Sequence, residues 1–364
     1  MPSLSKSLRR LAAAILAVVF AALIARALRA QQEEDTLVRT RIAVTRDDID
    51  AASTVKYSSY HVMAAGVPGA KERAAALNRE NARQVAESEG RRVERKATLK
   101  PPYLFQGDLV KGSPKALTLA SAVNHAVYID SKGTIAHNWG NPEGYLTDLF
   151  ASTFIHLADQ YTNSTTDAYR MGKNASVSYP FYGNVIYEHE LWAIVHAVAS
   201  KEGYGPGAGH IYHLFLPNGV DTCFDESTEC YSPDNFANWT FCAYHDAVNF
   251  DAKGDIGLVL FTVEPYQNVD GCAVHQPSVN GKLVDSTDSV LSHEAFETIT
   301  DPIPGEAWTN QTSLDLQDAE VSDECQPVTD DLGDFLVPTF AINKKKYAVQ
   351  LEYSNTYHTC AAQP

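Results

Sequence analysis

The sequence predicts an α/β (α+β) fold with a single main domain over residues 101–364. Three observations predict it. Apolar runs of strand length, bounded by Gly, Pro, Asn and Asp, alternate with amphipathic stretches of helical length. A hydrophobic content of 45% over 364 residues is enough for a sizeable core. The charge balance changes near Pro101-Pro102, because residues 31–100 carry 13 Lys/Arg against 11 Asp/Glu, whereas residues 101–364 carry 11 against 34. That shift marks a domain boundary.

Residues 1–30 read as a signal peptide. Lys6, Arg9 and Arg10 precede an apolar run from Leu11 to Ala25, and Ala25-Arg26-Ala27 or Leu28-Arg29-Ala30 then offers a small-residue cleavage site. The run is shorter than the roughly 18–20 apolar residues that span a bilayer. Export with cleavage is therefore expected, giving a secreted, extracellular or periplasmic protein that leaves the membrane once cut. Residues 31–100 form a charged N-terminal segment. Within it, Lys71 to Ala97 is rich in helix formers but has only sparse, small apolar residues, which suits a solvated spacer or a propeptide.

In the main domain, strands are expected in Ala126–Asp130 (AVYID), His210–Pro217 (HIYHLFLP), Gly254–Pro265 (GDIGLVLFTVEP) and Lys346–Ser354 (KYAVQLEYS). Helices are expected in Tyr145–Tyr161, in Tyr187–Gly203 and around His293. This alternation implies helices packed on a mixed sheet. All six cysteines (Cys223, Cys230, Cys242, Cys272, Cys325, Cys360) lie in the last 142 residues, an even number in a chain marked for export. They predict a disulfide-stapled C-terminal half rather than thiolate ligands, with connectivity open. The formal charge is −16, or −21 without residues 1–30. With no basic patch in view, nucleic acid is excluded as a partner.

The chemistry concentrates in DSTDSVLSHEAFETITDP, residues 285–302. The stretch begins like the HExxH signature of zinc hydrolases but has Glu297 where the second histidine would stand. On a helix His293 and Glu297, at i and i+4, lie one above the other, close enough to share an ion. A carboxylate replaces imidazole at nearly the same zinc distance and makes a harder, more anionic site. Glu294 then takes the general-base position of the pattern. Asp301 would continue the stripe, but Pro302 disfavours helical geometry there. A third ligand must come from LDLQDAEVSDEC (residues 314–325), with Glu320 preferred and Asp323 as outer partner or alternative ligand; Asp301 has the same standing. Trp308, in the intervening turn, and His245, in FCAYHD, are candidate cleft residues, with a structural role as the plainer reading of His245. The expected cofactor is one zinc ion. Calcium is the alternative, favoured by the acidic stretch 313–334 but not by His293.

Several blocks together resemble the phosphate-induced protein 1, or EXORDIUM-like, family of plants and its exported bacterial relatives. They are SHEAFETITDP, Trp308, EVSDEC and VQLEYSN, with FLPNGVDTC, FCAYH and HNWGNPEGYLTDLF upstream. The resemblance covers roughly residues 120–360. It implies an extracellular protein with a zincin-like helix, acting as a metallopeptidase-like hydrolase or as a metal-binding module. It implies His293 and Glu297 as a ligand pair, Glu294 as base, Glu320 with Asp323 nearby, and a Cys325–Cys360 bridge. The partner would be an extracellular peptide or protein, or a cell-wall component. Tyr353 stands where family members often carry tryptophan, and segment 31–100 lies outside the resemblance.

Overall fold

The computed structural model describes residues 39–52 and 107–364, apart from 131–138, 167, 181–182, 225–228, 236–237, 254, 276–277, 314–315, 328 and 330–333. The signal peptide expected at 1–30, the helical stretch expected at 71–97 and the boundary expected at Pro101-Pro102 lie outside the described residues. The chain divides into two units, Met1–Thr40 and Arg41–Pro364, and the elements of the fold lie in the second, apart from Thr40.

In chain order the first elements are β1 (Thr40–Ala43), α1 (Arg46–Ala52), β2 (Leu109–Lys111), β3 (Ser121–Asp130), α2 (Pro142–Phe150) and α3 (Asp159–Thr162). Next come β4 (Ala168–Met171), β5 (Ala175–Ser178), β6 (Val185–Tyr187), α4 (Glu188–Ala199), β7 (His210–Phe215), β8 (Asp221–Cys223) and β9 (Cys230–Tyr231). The last are β10 (Tyr244–Asn249), β11 (Leu258–Glu264), α5 (Lys282–Thr300), β12 (Trp308–Asn310), β13 (Thr339–Ile342), β14 (Lys345–Ala348), β15 (Glu352–Ser354) and β16 (Thr359–Ala361). Among the described residues, seven strands form one mixed sheet of order β1-β5-β3-β7-β11-β10, with β4 beside the first half of β3. Pairing is parallel from β3 to β4, β5 and β7 and from β7 to β11, and β10 closes the edge antiparallel to β11. The fold is thus mixed α/β, and it reaches upstream of residue 101 through β1 and α1.

The central strands are buried on both faces, so they read as near-continuous apolar runs. Their pleat sends alternate residues to opposite sides. Tyr212 and Leu214 of β7, with Val259, Phe261 and Val263 of β11, join Leu191, Ile194 and Val198 of α4 and Ile49 of α1 in one core. Ile211, Phe215 and Leu260 join Leu146 and Leu149 of α2 and Leu291, Ala295 and Ile299 of α5 in a second core on the opposite face.

α5 is 19 residues long and rich in Ser, Thr and Asp, so its stability comes from packing rather than propensity. Its i, i+4 series Leu291, Ala295 and Ile299 is fully or almost fully buried against the sheet. Its hydroxyls bond back within the helix: Thr298 Oγ1 donates to Glu294 O (2.7 Å) and Thr300 Oγ1 to Phe296 O (2.9 Å). Asp285 in the first turn accepts the backbone N–H groups of Val279 and Asn280, which fixes the entry. The helix stops at Asp301, whose carboxylate accepts from Gly305 N (3.0 Å) and Ala307 N (2.8 Å) to shape the following turn.

Two expected elements divide. The helix expected over Tyr145–Tyr161 is α2, a 3-10 turn at Phe154–Ala158, and α3. Ser152 breaks it, because its hydroxyl donates to Leu149 O and accepts from Phe154 N, competing with the helical ladder. The strand expected over Lys346–Ser354 is β14 and β15, interrupted at Gln350, whose backbone N–H donates to Ser289 Oγ of α5 rather than to a strand. All six cysteines are paired, as Cys223–Cys230, Cys242–Cys272 and Cys325–Cys360. These bridges fit an oxidising compartment. Among the described residues, no helix is long and apolar enough to cross a membrane.

Phe296 anchors α5, with its ring centroid 5.0 Å from that of Phe154 and no exposed surface. Phe296→Ala should cost about 3–5 kcal/mol in urea unfolding of the oxidised protein. A loss under about 1 kcal/mol would show that this face does not hold the helix.

Candidate metal centre

The pleat of β10 turns Tyr244 and Val248 into the α4 core and His245 towards α5. There His245 meets Glu294 and Glu297 of α5 and Glu320 from the loop that follows β12, while His293 meets Glu297 and, from the same loop, Asp323. The loop is fastened at three points. Ser322 Oγ donates to His293 O (3.0 Å), Gln350 Nε2 donates to Ser322 O (3.1 Å), and Cys325 is bridged to Cys360 beside β15.

His293 Nε2 lies 3.0 Å from Glu297 Oε1 and 3.6 Å from Asp323 Oδ1. Its Nδ1 pairs with Gln350 Oε1 at 3.2 Å. Gln350 spends its N–H on Ser322, so its oxygen faces the ring and the imidazole donates through Nδ1. His245 Nε2 donates to the Asp301 carbonyl (3.0 Å), while its Nδ1 faces Glu294 Oε2 at 3.6 Å and Glu297 Oε2 at 3.5 Å. Both rings are therefore held by an acceptor on one nitrogen and present the other to carboxylates, as metal-ligating histidines do.

Those presented nitrogens, both oxygens of Glu294 and of Glu320, and Oε1 of Glu297 make no hydrogen bond of acceptable geometry. Even at 3.0 Å, His293 Nε2 and Glu297 Oε1 are not aligned for a hydrogen bond. A neutral imidazole nitrogen facing a carboxylate sets lone pair against lone pair, so a proton or a cation must stand between them. Two groups of side chains have ligand atoms within 4.8 Å of one another: His245, Glu294 and Glu297, and His293, Glu297 and Asp323.

The electrostatics match this crowding. Burial, reinforced by Glu297 and Asp301 and opposed by His245, pushes Glu320 well above the usual carboxylate range. Burial also raises Glu294, with the two imidazoles pulling the other way. Burial alone would raise Glu297, but His293 and His245 outweigh it and hold it below that range. For the histidines burial opposes the charge, yet Glu320 beside His245 and Glu297 beside His293 lift both well above their ordinary value. Glu264 of β11 and Glu352 of β15 border the centre and are raised by burial. Carboxylates outnumber the imidazoles opposite them, which is the charge pattern a divalent cation neutralises.

Of the residues singled out in the sequence, His293, Glu294, Glu297, Asp323 and His245 come together here. Glu320 lies 3.8 Å from His245 Nε2 and outside both groups, while Asp323 joins His293 and Glu297. Asp301 uses its carboxylate on the turn and its carbonyl on His245. Trp308 is engaged in packing, its indole N–H donating to Tyr161 O (2.8 Å). Gln350, Glu352 and Glu264 carry no spacing signal in the sequence. The two residues of the VQLEYSN block alternate with Val349, Leu351 and Tyr353 as solvent-facing strand positions would, yet Gln350 is almost wholly buried and Glu352 wholly so.

A cation held by His293 should feel the loss of the orienting amide. Gln350→Leu is expected to weaken Zn2+ binding about 10–100-fold, read by competition with a chromophoric chelator. Unchanged affinity would make Gln350 a packing residue only.

Comparison with protein-family models, with curated proteins and with solved structures finds no match to this chain.

Proposed function

We propose that the protein is an exported, zinc-dependent hydrolase of peptidase-like type, with α5 as a zincin-like helix on the sheet and His293, Glu297 and Asp323 as ligands. The observation that carries this reading is the HExxE helix, which turns His293, Glu294 and Glu297 towards one buried cluster where a third carboxylate, Asp323, faces the same imidazole nitrogen. A zinc ion held there would supply Lewis acidity towards a substrate carbonyl and an attacking water. Glu294, with both oxygens unpartnered, takes the proton from that water and passes it to the leaving amine. Gln350 and the Asp301 carbonyl hold the two imidazoles in place. The resemblance to EXORDIUM-like proteins, the three disulfides and the leader expected at residues 1–30 support export and a peptide, protein or cell-wall partner.

One observation favours a second reading. His293 is 5% exposed, Glu297 2% and Glu320 not at all. An ion in so enclosed a place could serve only to hold the 320–325 loop to α5 in a non-catalytic extracellular or wall-associated binding protein. Calcium remains a rival to zinc, and elemental analysis of the purified protein separates them.

Glu294→Gln is expected to keep the ion at His293, Glu297 and Asp323 and to lower turnover of a peptide library by at least about 100-fold. Undiminished hydrolysis in that variant would sink the mechanism. A folded, metal-loaded wild type with no activity across the library would establish the second reading.

A further inference from the structure

We propose that the centre holds two divalent transition cations, of the zinc or manganese class, bridged by Glu297. The inference rests on the reading that the centre binds metal, and goes beyond it in number and in the use of His245. The two ligand groups share Glu297, and neither contains both imidazoles. Glu297 turns one oxygen to each ring: Oε1 to His293 Nε2 at 3.0 Å and Oε2 to His245 Nδ1 at 3.5 Å. That is how a carboxylate bridges two ions rather than chelating one.

The histidines repeat the same arrangement independently. Each is buried, each donates one N–H to an oxygen outside the centre, and each turns its other nitrogen, without a hydrogen bond, towards carboxylates. A single ion on His293, Glu297 and Asp323 leaves His245 Nδ1 still facing Glu294 Oε2 and Glu297 Oε2. A second cation at His245, Glu294 and Glu297 resolves that contact. One imidazole with carboxylates at each position suits zinc, which takes mixed nitrogen and oxygen donors, and manganese, which favours oxygen-rich sites. Glu294 would give Oε2 to the second ion and keep Oε1, which has no partner, for the proton of the attacking water. With two cations the attacking water and the substrate carbonyl oxygen would each have an ion beside them, and the leaving amine would still take its proton from Glu294.

The competing account has no second cation and a protonated His245 in its place. Metal counting on the oxidised full chain decides between them. The protein is stripped with a chelator, titrated with Zn2+, desalted and measured by inductively coupled plasma mass spectrometry. Two equivalents per chain are expected, falling to one in His245→Gln and to one in His293→Gln. With Mn2+, the wild type should give the electron paramagnetic resonance spectrum of an exchange-coupled pair, and His245→Gln that of an isolated ion. Saturation of the wild type at one equivalent overturns the pair and spares the one-ion hydrolase. No bound metal overturns both. Two equivalents without peptide hydrolysis uphold the pair and remove the hydrolase. The wild-type count stands even if a variant fails to fold.

Discussion

Glu297 faces two imidazoles inside a cluster of buried carboxylates, and much of the molecule is arranged around that contact. Each ionised carboxylate removed from water costs several kcal/mol unless an opposite charge stands close by. The two imidazoles are the groups that turn towards it, each with one ring nitrogen. To keep them there, the chain commits a backbone carbonyl at Asp301, a side-chain amide at Gln350 and a serine hydroxyl at Ser322. None of these would be needed to pack an ordinary helix on a sheet. The polar composition of α5 has the same origin, because a helix that carries the centre on one side and the core on another has little face left for solvent.

The sheet supplies the other half of the arrangement. β7 and β11 serve two cores at once, and on the face of β11 that carries Leu260 the chain also buries Thr262 and Glu264. Thr262 Oγ1 donates to Glu264 Oε1 (2.8 Å) and pairs with His213 Nδ1 (2.9 Å), which in turn reaches Asn124. This buried chain runs across three neighbouring strands and braces Glu264 at the border of the centre. Burial holds the His213 imidazole at a pKa of about 3, so it acts there as a neutral hydrogen-bonding group.

How much of this was legible in the sequence depended on distance along the chain. His293 and Glu297 are four residues apart, and helical spacing alone brings them together. The apolar runs of β7 and β11 were clear because both faces are buried, and the even count of cysteines anticipated bridges, of which the family resemblance named only Cys325–Cys360. His245 was visible only as a cleft candidate, since its part in the centre depends on which way β10 faces and on the pairing with β11. Gln350 was hidden more deeply. Its place in an alternating run suggests a solvent-facing strand residue, but the strand stops there and the amide turns inward to Ser322 and His293. Between Glu320 and Asp323, three residues apart in one loop, only the 3-10 turn at Asp323–Cys325 decides which carboxylate approaches His293.

The alternation of β10 also says which changes in chain length the protein can absorb. Tyr244 and His245 point to opposite cores because side chains in a strand have a period of two. Deleting one residue within β10 would exchange them, placing a phenol among the carboxylates and an imidazole in the apolar core beside α4. The connection between Asn249 and Leu258 lies outside the ladder of β10 and β11, so a residue gained or lost there leaves the facing of both strands unchanged. Length variation among natural variants of this protein should therefore collect in that connection and be absent from β10.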